Sequence, residues 1–378
     1  MRIVHVTPGY WPELGGVERH VQDVSEALAR LGHHVVVVAT TPDARLPRHE
    51  LVGGVEVRRL PAIGPQHYRL PLGLMRYLAR QRFDVVHAHN YHALPMLCAA
   101  LSAGARCVIS PYYHGRAHSR AADALHRLYR PLGRLALRRA AGIVCLSAGE
   151  ANLVVRNLMV ARERIAVIPS ICVLPAGAAG PRVPPVGAER VILSVGRLER
   201  YKRVDRAIAA LEYLPDNYRL VIAGEGAERP RLEQFVAARG LAGRVQLLGR
   251  VSDTELARCY RQAQVALTFS EAESFGRTVV EGLTYGCQVV CSDIPAFRDL
   301  AALYPSNVWL AAPGARGQQV AALIAAAADR PWVQPDMQRY SARAVATQLL
   351  RVYAAGLVGS PAPAAWPGRQ PDHRSQGM

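Results

Sequence analysis

Short apolar runs alternate with longer amphipathic stretches along most of this chain, beginning at its N-terminus. The short runs are rich in valine, isoleucine and leucine, as buried strands are, and the longer stretches repeat apolar residues with the period of a helix. Strands that alternate with helices are typical of β-α-β units, in which helices cover both faces of a parallel sheet. The alternation therefore predicts an α/β fold.

We predict strands at residues 3–6, 34–38, 85–88, 108–110, 143–146 and 166–168, and again at 191–195, 220–222, 245–248, 265–268 and 289–291. Helices are predicted near residues 17–31, 72–82, 93–101, 121–139 and 150–158, and then near 231–238, 253–262, 320–328 and 342–353. The break between the two sets is rich in proline and glycine and has no apolar periodicity, so it is interpreted as a linker.

A length of 378 residues exceeds one ordinary domain of roughly 100–200 residues. The predicted organisation is an N-terminal Rossmann-like domain, a linker, a second Rossmann-like domain, a helical segment that returns to the first domain and a disordered tail. Their predicted bounds are 1–173, 174–190, 191–335, 336–358 and 359–378. Because ligands bind beyond the carboxyl ends of parallel strands, two facing domains imply a cleft.

The composition excludes several classes of protein. Half of the residues are apolar and 20% are charged, which excludes a disordered or small disulfide-stapled chain. The formal charge of +17 favours an anionic partner such as a nucleotide, an acidic membrane face or nucleic acid. Nucleic acid is the weakest of these, because aromatic residues are only 6% and no motif that reads DNA or RNA is present.

The cysteines and the N-terminus indicate the compartment. The seven cysteines include no C-x-x-C pair and lie mostly in apolar runs, as reduced core thiols do. The N-terminus lacks the pattern of a signal peptide, and no uncharged apolar stretch reaches the roughly 18 residues of a membrane span. We expect a cytoplasmic protein with at most surface contact to a membrane.

Two glutamates, Glu273 and Glu281, follow the predicted strand 265–268. On one continuous helix they would be about 12 Å apart along the axis, too far to act together. A turn at Phe275-Gly276 would instead leave Glu273 in a loop and place Glu281 early in a helix that begins near Arg277 or Thr278. Its first amides would suit a phosphate, and Glu281 would accept hydrogen bonds from hydroxyls such as those of a ribose. The alternative is that both are ordinary acids near a helix start.

The segment from Glu273 to Glu281 has the form Glu-x7-Glu, and residues 194–205 read SVGRLERYKRVD at the first strand-to-helix turn of the second domain. In both segments the chain resembles the retaining glycosyltransferases of family 4, which have the two-domain GT-B fold. The resemblance implies that Arg197 and Lys202 hold the diphosphate of the donor. Fixed cations stabilise the negative charge of a departing nucleoside diphosphate. The alternative is a solvated basic turn.

Further segments resemble the same family, namely the Gly15-Gly16 loop, the turn at Gly224-x-Gly226, the segment 245–252 and His114 after a strand. The Gly224 turn lacks the third glycine of a dinucleotide fingerprint, which disfavours a dehydrogenase. The resemblance assigns catalytic roles to His114, Glu273, Arg197 and Lys202. It assigns donor binding to Gly15, Gly16, Gly196, Arg197, Lys202, Gly224, Val251, Glu273, Phe275, Gly276, Arg277, Thr278 and Glu281.

Two positions depart from the family pattern. The usual Pro-Asn-Gly before the linker is replaced by Pro169-Ser170-Ile171, which changes the hinge region. The usual aliphatic residue after Phe-Gly is replaced by Arg277. This cation would either meet a phosphate or an anionic substituent of the donor, or be exposed.

Three histidines, His87, His89 and His92, lie close enough together to raise the question of a metal site. No carboxylate or thiol joins them at ligand spacing, so a metal is disfavoured. The family has no Asp-x-Asp metal motif and none occurs here. We expect no metal and no cofactor other than the nucleotide-sugar substrate.

Residues 116–139 carry seven arginines and one acid, with leucines at near-helical spacing. They predict a basic helix that is broken near Pro131-Leu132-Gly133. One interpretation is attraction to an anionic membrane that carries a lipid acceptor, at about 1 kcal/mol per basic residue near the surface. The other is a helix with one buried and one solvated face.

The predicted function is the metal-independent, retaining transfer of a sugar from a nucleoside diphosphate to a hydroxyl acceptor. The second domain would bind the nucleotide and the first the acceptor. A lipid-linked or cell-envelope glycan and a soluble natural product both remain as acceptors. The alternatives are a nucleotide-sugar epimerase of similar fold and a non-catalytic scaffold.

Overall fold

The computed structural model describes residues 1–13, 15–41, 43, 45–64, 69–115, 120–172 and 189–358, with their side chains except at 105, 120–125, 357 and 358. The predicted tail and all but the last two residues of the predicted linker lie outside these ranges. The described residues form two sheets, each with a buried apolar layer on both faces. The predicted α/β class with two doubly wound domains is therefore confirmed.

The strands of the first sheet are β1 (Arg2–Thr7), β2 (His34–Thr41), β3 (His49–Val52), β4 (Val55–Ile63), β5 (Leu70–Pro71), β6 (Val85–His89), β7 (Cys107–Ser110), β8 (Gly142–Cys145) and β9 (Ile165–Val167). Their order is β3-β4-β2-β1-β6-β7-β8-β9, with β5 beside β4. The pairings of β3 and β5 with β4 are antiparallel and the others are parallel. The winding reverses at β1, so a crevice is expected beyond its carboxyl end.

The helices of the first domain are α1 (Gly16–Arg30), α2 (Leu74–Arg80), α3 (Leu94–Ala103), α4 (Arg120–Arg139) and α5 (Ala148–Leu158). Alternate residues of a strand point to opposite faces. Val35 and Val37 of β2 accordingly pack in the layer that contains α1, whereas Val36 and Val38 pack in the layer that contains α3. The continuous valine run of β2 thus fills both faces of the sheet.

The second sheet consists of β10 (Arg190–Val195), β11 (Tyr218–Ala223), β12 (Val245–Gly249), β13 (Val265–Thr268), β14 (Gln288–Ser292) and β15 (Val308–Ala311). Its helices are α6 (Val204–Leu211), α7 (Arg229–Ala238), α8 (Asp253–Gln262), α9 (Arg277–Thr284), α10 (Pro295–Leu303) and α11 (Gly317–Asp329). The strand order is β12-β11-β10-β13-β14-β15 and every pairing is parallel. The winding reverses at β10, whose neighbours are β11 and β13.

The last described helix, α12 (Ala342–Val358), packs on the first domain. Val345, Leu349 and Tyr353 lie in the same buried layer as Val21 and Val24 of α1. The apolar face of α12 therefore completes the core of the first domain rather than that of the second.

The sequence analysis missed β3, β4, β5 and β15. In β4 the reason is Arg59, which interrupts the apolar pattern although its side chain is buried. Its guanidinium contacts the carboxylate of Glu50 and the main-chain carbonyls of Trp11 and Pro47. A buried arginine paired with a carboxylate has the same sequence letter as an exposed one, so apolar periodicity alone does not detect this strand.

The predicted break in the basic helix is wrong, because α4 is continuous through Pro131. Tertiary contacts hold the helix together despite the hydrogen bond that a proline removes. Gly133 packs so closely on Tyr91 that a Cβ would lie 2.4 Å from the tyrosine hydroxyl, and Arg130 donates to the carbonyl of Asn157 at 2.7 Å. Among the described helices, none is long and apolar enough to cross a lipid bilayer.

Candidate active site

Two loops of the second domain meet at the carboxyl ends of the neighbouring strands β10 and β13. The amide of Glu271, after β13, donates a hydrogen bond to the carbonyl of Tyr201, after β10, at 2.9 Å. The ammonium group of Lys202 then donates to the carboxylate of Glu273, and these side chains are 19% and 23% exposed. The structure thus brings together two predicted site residues from different loops.

Two cations, Arg197 and Lys202, lie where these loops meet and are grouped around one aromatic ring. We call this group the cation corner. The guanidinium of Arg197 donates to the hydroxyl of Tyr201 at 3.0 Å, and the ammonium of Lys202 lies 5.2 Å from the centre of the same ring. Burial by itself lowers the pKa of Lys202, but the Glu273 carboxylate and the other neighbours outweigh burial, so the pKa is raised. Both predicted phosphate-binding groups are therefore charged near neutral pH.

The second glutamate, Glu281, lies within α9, which begins at Arg277 as the sequence predicts. The preceding Gly276 has φ of +102°, and a Cβ there would lie 2.6 Å from Phe297, so only glycine fits. One oxygen of Glu281 accepts from Nε of Arg277 at 2.9 Å, and the other accepts from the hydroxyl of Tyr260 at 3.1 Å. The carboxylate is thus oriented from two sides.

The two glycine turns after β10 and β11 pack directly on each other. A Cβ on Gly224 would lie 1.8 Å from the carbonyl oxygen of Gly196. Across the same contact, the amide of Leu198 donates a hydrogen bond to the main-chain carbonyl of Glu225 at 2.9 Å. Gly224 also has φ of +150°. Close backbone packing therefore requires this glycine, whatever further role it has in donor binding.

Three other predicted donor residues lie around this corner in different settings. The side chain of Phe275 is buried, with its ring 5.9 Å from that of Tyr340. Val251 packs on the same apolar core, and Thr278 is the second residue of α9.

The first domain contributes the loop before α1. A Cβ on Gly15 would lie 2.3 Å from a carboxylate oxygen of Glu18, whereas Gly16 has open space around it. Burial raises the pKa of Glu18, and the positive charge of Arg197 opposes that rise across the cleft. Glu18, in the first turn of α1, is therefore close enough to Arg197 for their charges to interact. The sequence analysis did not select Glu18.

Comparisons with known proteins identify the chain. Residues 182–345 match the family "Glycosyl transferases group 1", and residues 14–171 match "Glycosyltransferase Family 4". This protein is a family 4 glycosyltransferase.

Relatives of this glycosyltransferase include the phosphatidyl-myo-inositol mannosyltransferase of Mycolicibacterium smegmatis, 29% identical with 93% of each chain covered. The GDP-mannose:cellobiosyl-diphosphopolyprenol alpha-mannosyltransferase of Xanthomonas oryzae is 28% identical, with 80% of this chain and 81% of that protein covered. Among solved structures, a sucrose-phosphate synthase from Thermosynechococcus elongatus has a TM-score of 0.75 at 21% identity, covering 95% and 99% of the two chains. The structural likeness supports the GT-B fold.

In this glycosyltransferase, His114 lies in the loop after β7, with its ring 6.4 Å from that of His92. A buried carboxylate fixes the loop, because Glu150 accepts hydrogen bonds from the amides of Tyr113 and Leu146, both at 2.7 Å. Burial raises the pKa of Glu150 to about 8. The sequence analysis did not predict this carboxylate, since nothing in its spacing distinguishes it from other helix-start acids.

Of the three histidines that raised the question of a metal, His87 and His89 belong to a buried hydrogen-bond network, in which His5 rather than His92 lies beside them. Their partners, at 2.7–2.8 Å, are Tyr353 and Ser110 for His87, and His5 and Tyr112 for His89. Ring nitrogens of His5, His87 and His89 lie within 4.8 Å of one another, and burial lowers the pKa of His5 to about 3. A metal ion here would have to displace hydrogen bonds that the glycosyltransferase already makes.

The two departures from the family pattern lie at contacts between elements. Ser170 is buried and hydrogen-bonded to His20 of α1 at 2.9 Å. Arg277 donates to Asp23 of α1 at 2.8 Å as well as to Glu281, and its side chain is only 21% exposed. The expectation that Arg277 is either exposed or aimed at a phosphate missed this contact between domains.

Proposed function

We propose that this glycosyltransferase is a retaining, metal-independent enzyme that binds a nucleoside diphosphate sugar on the second domain and its acceptor on the first. The observation that carries the proposal is the grouping of Arg197, Lys202 and Glu273 at the carboxyl ends of β10 and β13. This is the position at which the winding of the second sheet reverses, where open α/β sheets bind ligands.

The cation corner supplies the charge that the leaving group needs. When the bond between the sugar and the phosphate breaks, negative charge accumulates on the nucleoside diphosphate, and cations fixed in advance stabilise it. Arg197 offers a planar fork to the phosphate oxygens, and Lys202 offers a point charge. Two such cations take the role that a divalent metal has in other transferases, which supports metal independence.

The two glutamates would bind different parts of the donor. Glu281, oriented by Arg277 and Tyr260, retains lone pairs for the hydroxyls of the ribose. Glu273 lies beside Lys202 at the diphosphate end, where it would contact the sugar ring. The histidine of the first domain, His114, would orient the reacting groups from the opposite side of the cleft.

Retention follows from attack on the face that the leaving group occupies. The acceptor oxygen forms a bond to the anomeric carbon while the bond from that carbon to the phosphate oxygen breaks. The phosphate oxygen takes the acceptor's proton, so charge and atoms balance without a carboxylate base on the opposite face. The sugar keeps its anomeric configuration.

The acceptor is proposed to be a lipid that carries a phosphate group. The relatives from Mycolicibacterium and Xanthomonas are named for phosphatidyl-myo-inositol and diphosphopolyprenol acceptors. In this chain a pocket of about 450 Å³ lies in the first domain, lined by Tyr113, Gly115, His126, Arg127, Arg130 and Asn157. Among the described side chains, no carboxylate forms an ion pair with either arginine, so the pocket suits an anion.

The outer face of α4 supports contact with a membrane beside this pocket. Leu128, Leu132 and Leu135 are 77%, 51% and 44% exposed, and Arg127 and Arg138 are exposed beside them. Exposed leucines flanked by arginines fit the boundary between acyl chains and anionic headgroups. We propose that the enzyme binds the membrane surface through this face.

The test uses the transfer reaction itself in excess EDTA, with nucleotide sugars offered one at a time and phosphoinositide or polyprenyl diphosphate glycans as acceptors. Proton NMR of the product reads the anomeric configuration. Transfer that persists in EDTA and preserves the configuration supports the proposal. Inversion of configuration, or loss of transfer that Mg²⁺ or Mn²⁺ restores, would contradict it.

A further inference from the structure

One guanidinium group joins the two domains at the proposed ribose-binding carboxylate. Nη1 of Arg277 donates to Asp23 on α1 at 2.8 Å, and Nε of the same group donates to Glu281 at 2.9 Å. The three side chains are between 18% and 22% exposed. Arg277 thus connects α1 of the first domain directly to the carboxylate of Glu281.

The planar geometry of the arginine side chain fixes the relative positions of the two carboxylates that it binds. A guanidinium presents its N–H groups in a rigid planar fork, so binding one carboxylate fixes where the other can bind. Charges that are mostly removed from water also depend strongly on their partners. The orientation of Glu281 therefore depends on whether Asp23 holds the far side of Arg277, and this requires the first domain to lie in its present position.

We propose that Arg277 is a positioning residue that couples the approach of the first domain to nucleotide binding on the second. Among the described contacts, Asp23 reaches the proposed nucleotide site only through Arg277, yet it increases nucleotide affinity by holding Arg277 against Glu281. Because coupling between two equilibria is reciprocal, a bound nucleotide in turn favours the arrangement in which Asp23 meets Arg277. This inference rests on the proposed role of Glu281.

A second ion pair between the domains provides a matched control. Arg19 of α1 binds Asp253 of α8 at 3.0 Å, and these side chains are 34% and 60% exposed. This pair also bridges the domains. Arg19 contacts Asp23 as well, at 3.4 Å, so the control changes Asp253, which forms no described ion pair with Asp23, Arg277 or Glu281. If attraction between the domains in general raises nucleotide affinity, breaking either pair would weaken nucleotide binding. If Arg277 acts by positioning Glu281, only the loss of Asp23 would weaken it.

The experiment is isothermal titration calorimetry with UDP, GDP, ADP and dTDP on the full chain and on its variants. These are Asp23→Asn, Asp23→Glu, Arg277→Leu, the double variant of Asp23→Asn with Arg277→Leu, Asp253→Asn and Glu281→Ala. Leucine at position 277 is the kind of residue the family usually has there, so that variant tests the idea even if Asp23→Asn folds poorly. Thermal unfolding without nucleotide checks that each variant is folded. Steady-state transfer assays separate the donor KM from kcat.

We expect Asp23→Asn and Arg277→Leu each to weaken binding about tenfold, within the usual range of coupling between sites. The double variant should be no weaker than Arg277→Leu alone, Asp253→Asn should change binding less than about twofold, and Asp23→Glu should recover affinity. The donor KM should rise more than kcat falls. A purely structural role would lower unfolding temperatures without this pattern.

Two outcomes separate this inference from the proposed function. If Glu281→Ala abolishes binding while Asp23→Asn and Arg277→Leu bind like wild type, the coupling is overturned and the donor site stands. If wild type binds none of the four nucleotides, or Glu281→Ala binds as well as wild type, the proposed ribose role fails and the coupling fails with it. Equal losses from Asp23→Asn and Asp253→Asn also overturn it.

Discussion

Lys202 and Glu273 form an ion pair between loops that follow neighbouring strands of the second sheet. The pair keeps a cation and an acid at the corner where Arg197 also lies. A donor diphosphate arriving there would compete with Glu273 for the ammonium group, which would release the carboxylate toward the sugar. The ion pair thus holds the ammonium group and the carboxylate in position before the substrate binds.

Replacing either cation should slow the transfer step. We expect Lys202→Ala or Arg197→Ala to lower kcat by about 10²–10³, comparable to the loss of one fixed donor to a developing negative charge. The matched control is Arg200→Ala, which removes an exposed arginine from the same turn. Steady-state kinetics with saturating acceptor make the comparison, and normal turnover by Lys202→Ala would refute the phosphate assignment.

Gly224 should be far less tolerant of alanine than Gly196. Both have positive φ, but a Cβ on Gly224 would lie 1.8 Å from the carbonyl oxygen of Gly196, whereas one on Gly196 meets nothing within 4 Å. Gly224→Ala should therefore cost about 1–3 kcal/mol of unfolding free energy beyond Gly196→Ala, the usual cost of overpacking. Urea denaturation of the two variants measures this difference, and equal stability would contradict the packing argument.

The pH dependence of stability should reveal the buried carboxyl of Glu150. Its pKa is about 8 in the folded protein, against 4.5 as its ordinary value, so folding favours the protonated form. The stabilisation is complete below the ordinary value and is lost as pH rises toward 8. Wild type should therefore lose unfolding free energy relative to Glu150→Gln between pH 5 and pH 8. Denaturation curves at each pH measure the unfolding free energy of wild type minus that of Glu150→Gln. The buried histidines titrate in both proteins, so their contributions cancel in this difference. A difference that stays constant or increases as pH rises would contradict the prediction.

The leucines on the outer face of α4 should determine membrane binding. Burying a leucine contributes about 1.5–3 kcal/mol when complete, so Leu128→Ser with Leu132→Ser should weaken binding to anionic vesicles by about tenfold or more. Leu51→Ser is a matched control, because Leu51 is 75% exposed, close to the 77% of Leu128, and lies on β3 away from α4. Co-sedimentation with phosphatidylglycerol vesicles separates the variants. Unchanged sedimentation of the double variant would favour a merely solvated face.

The sequence predicted the fold well because strands such as β2 are buried on both faces and have almost uninterrupted valines. It failed where burial and residue type disagree. The buried Arg59 hides β4, and the packing of Gly133 on Tyr91 keeps α4 continuous through Pro131.

In the candidate site, too, some features could be predicted from the sequence and others could not. The spacing of Glu273, Gly276 and Glu281 predicted a turn followed by a helix, because local backbone rules determine both. Glu18, Asp23 and Glu150 were missed. Each depends on a partner distant in sequence, which no local pattern encodes.

We propose that the second domain binds a nucleoside diphosphate without a metal. Thermal unfolding of wild type and Glu281→Ala in EDTA, with UDP, GDP, ADP or dTDP, tests this binding. A nucleotide at one hundred times its dissociation constant should add about 2.7 kcal/mol to the stability of wild type. We predict that one nucleotide stabilises wild type and that Glu281→Ala loses most of this effect. If no nucleotide stabilises wild type, or if Glu281→Ala responds equally, the donor does not bind at Glu281.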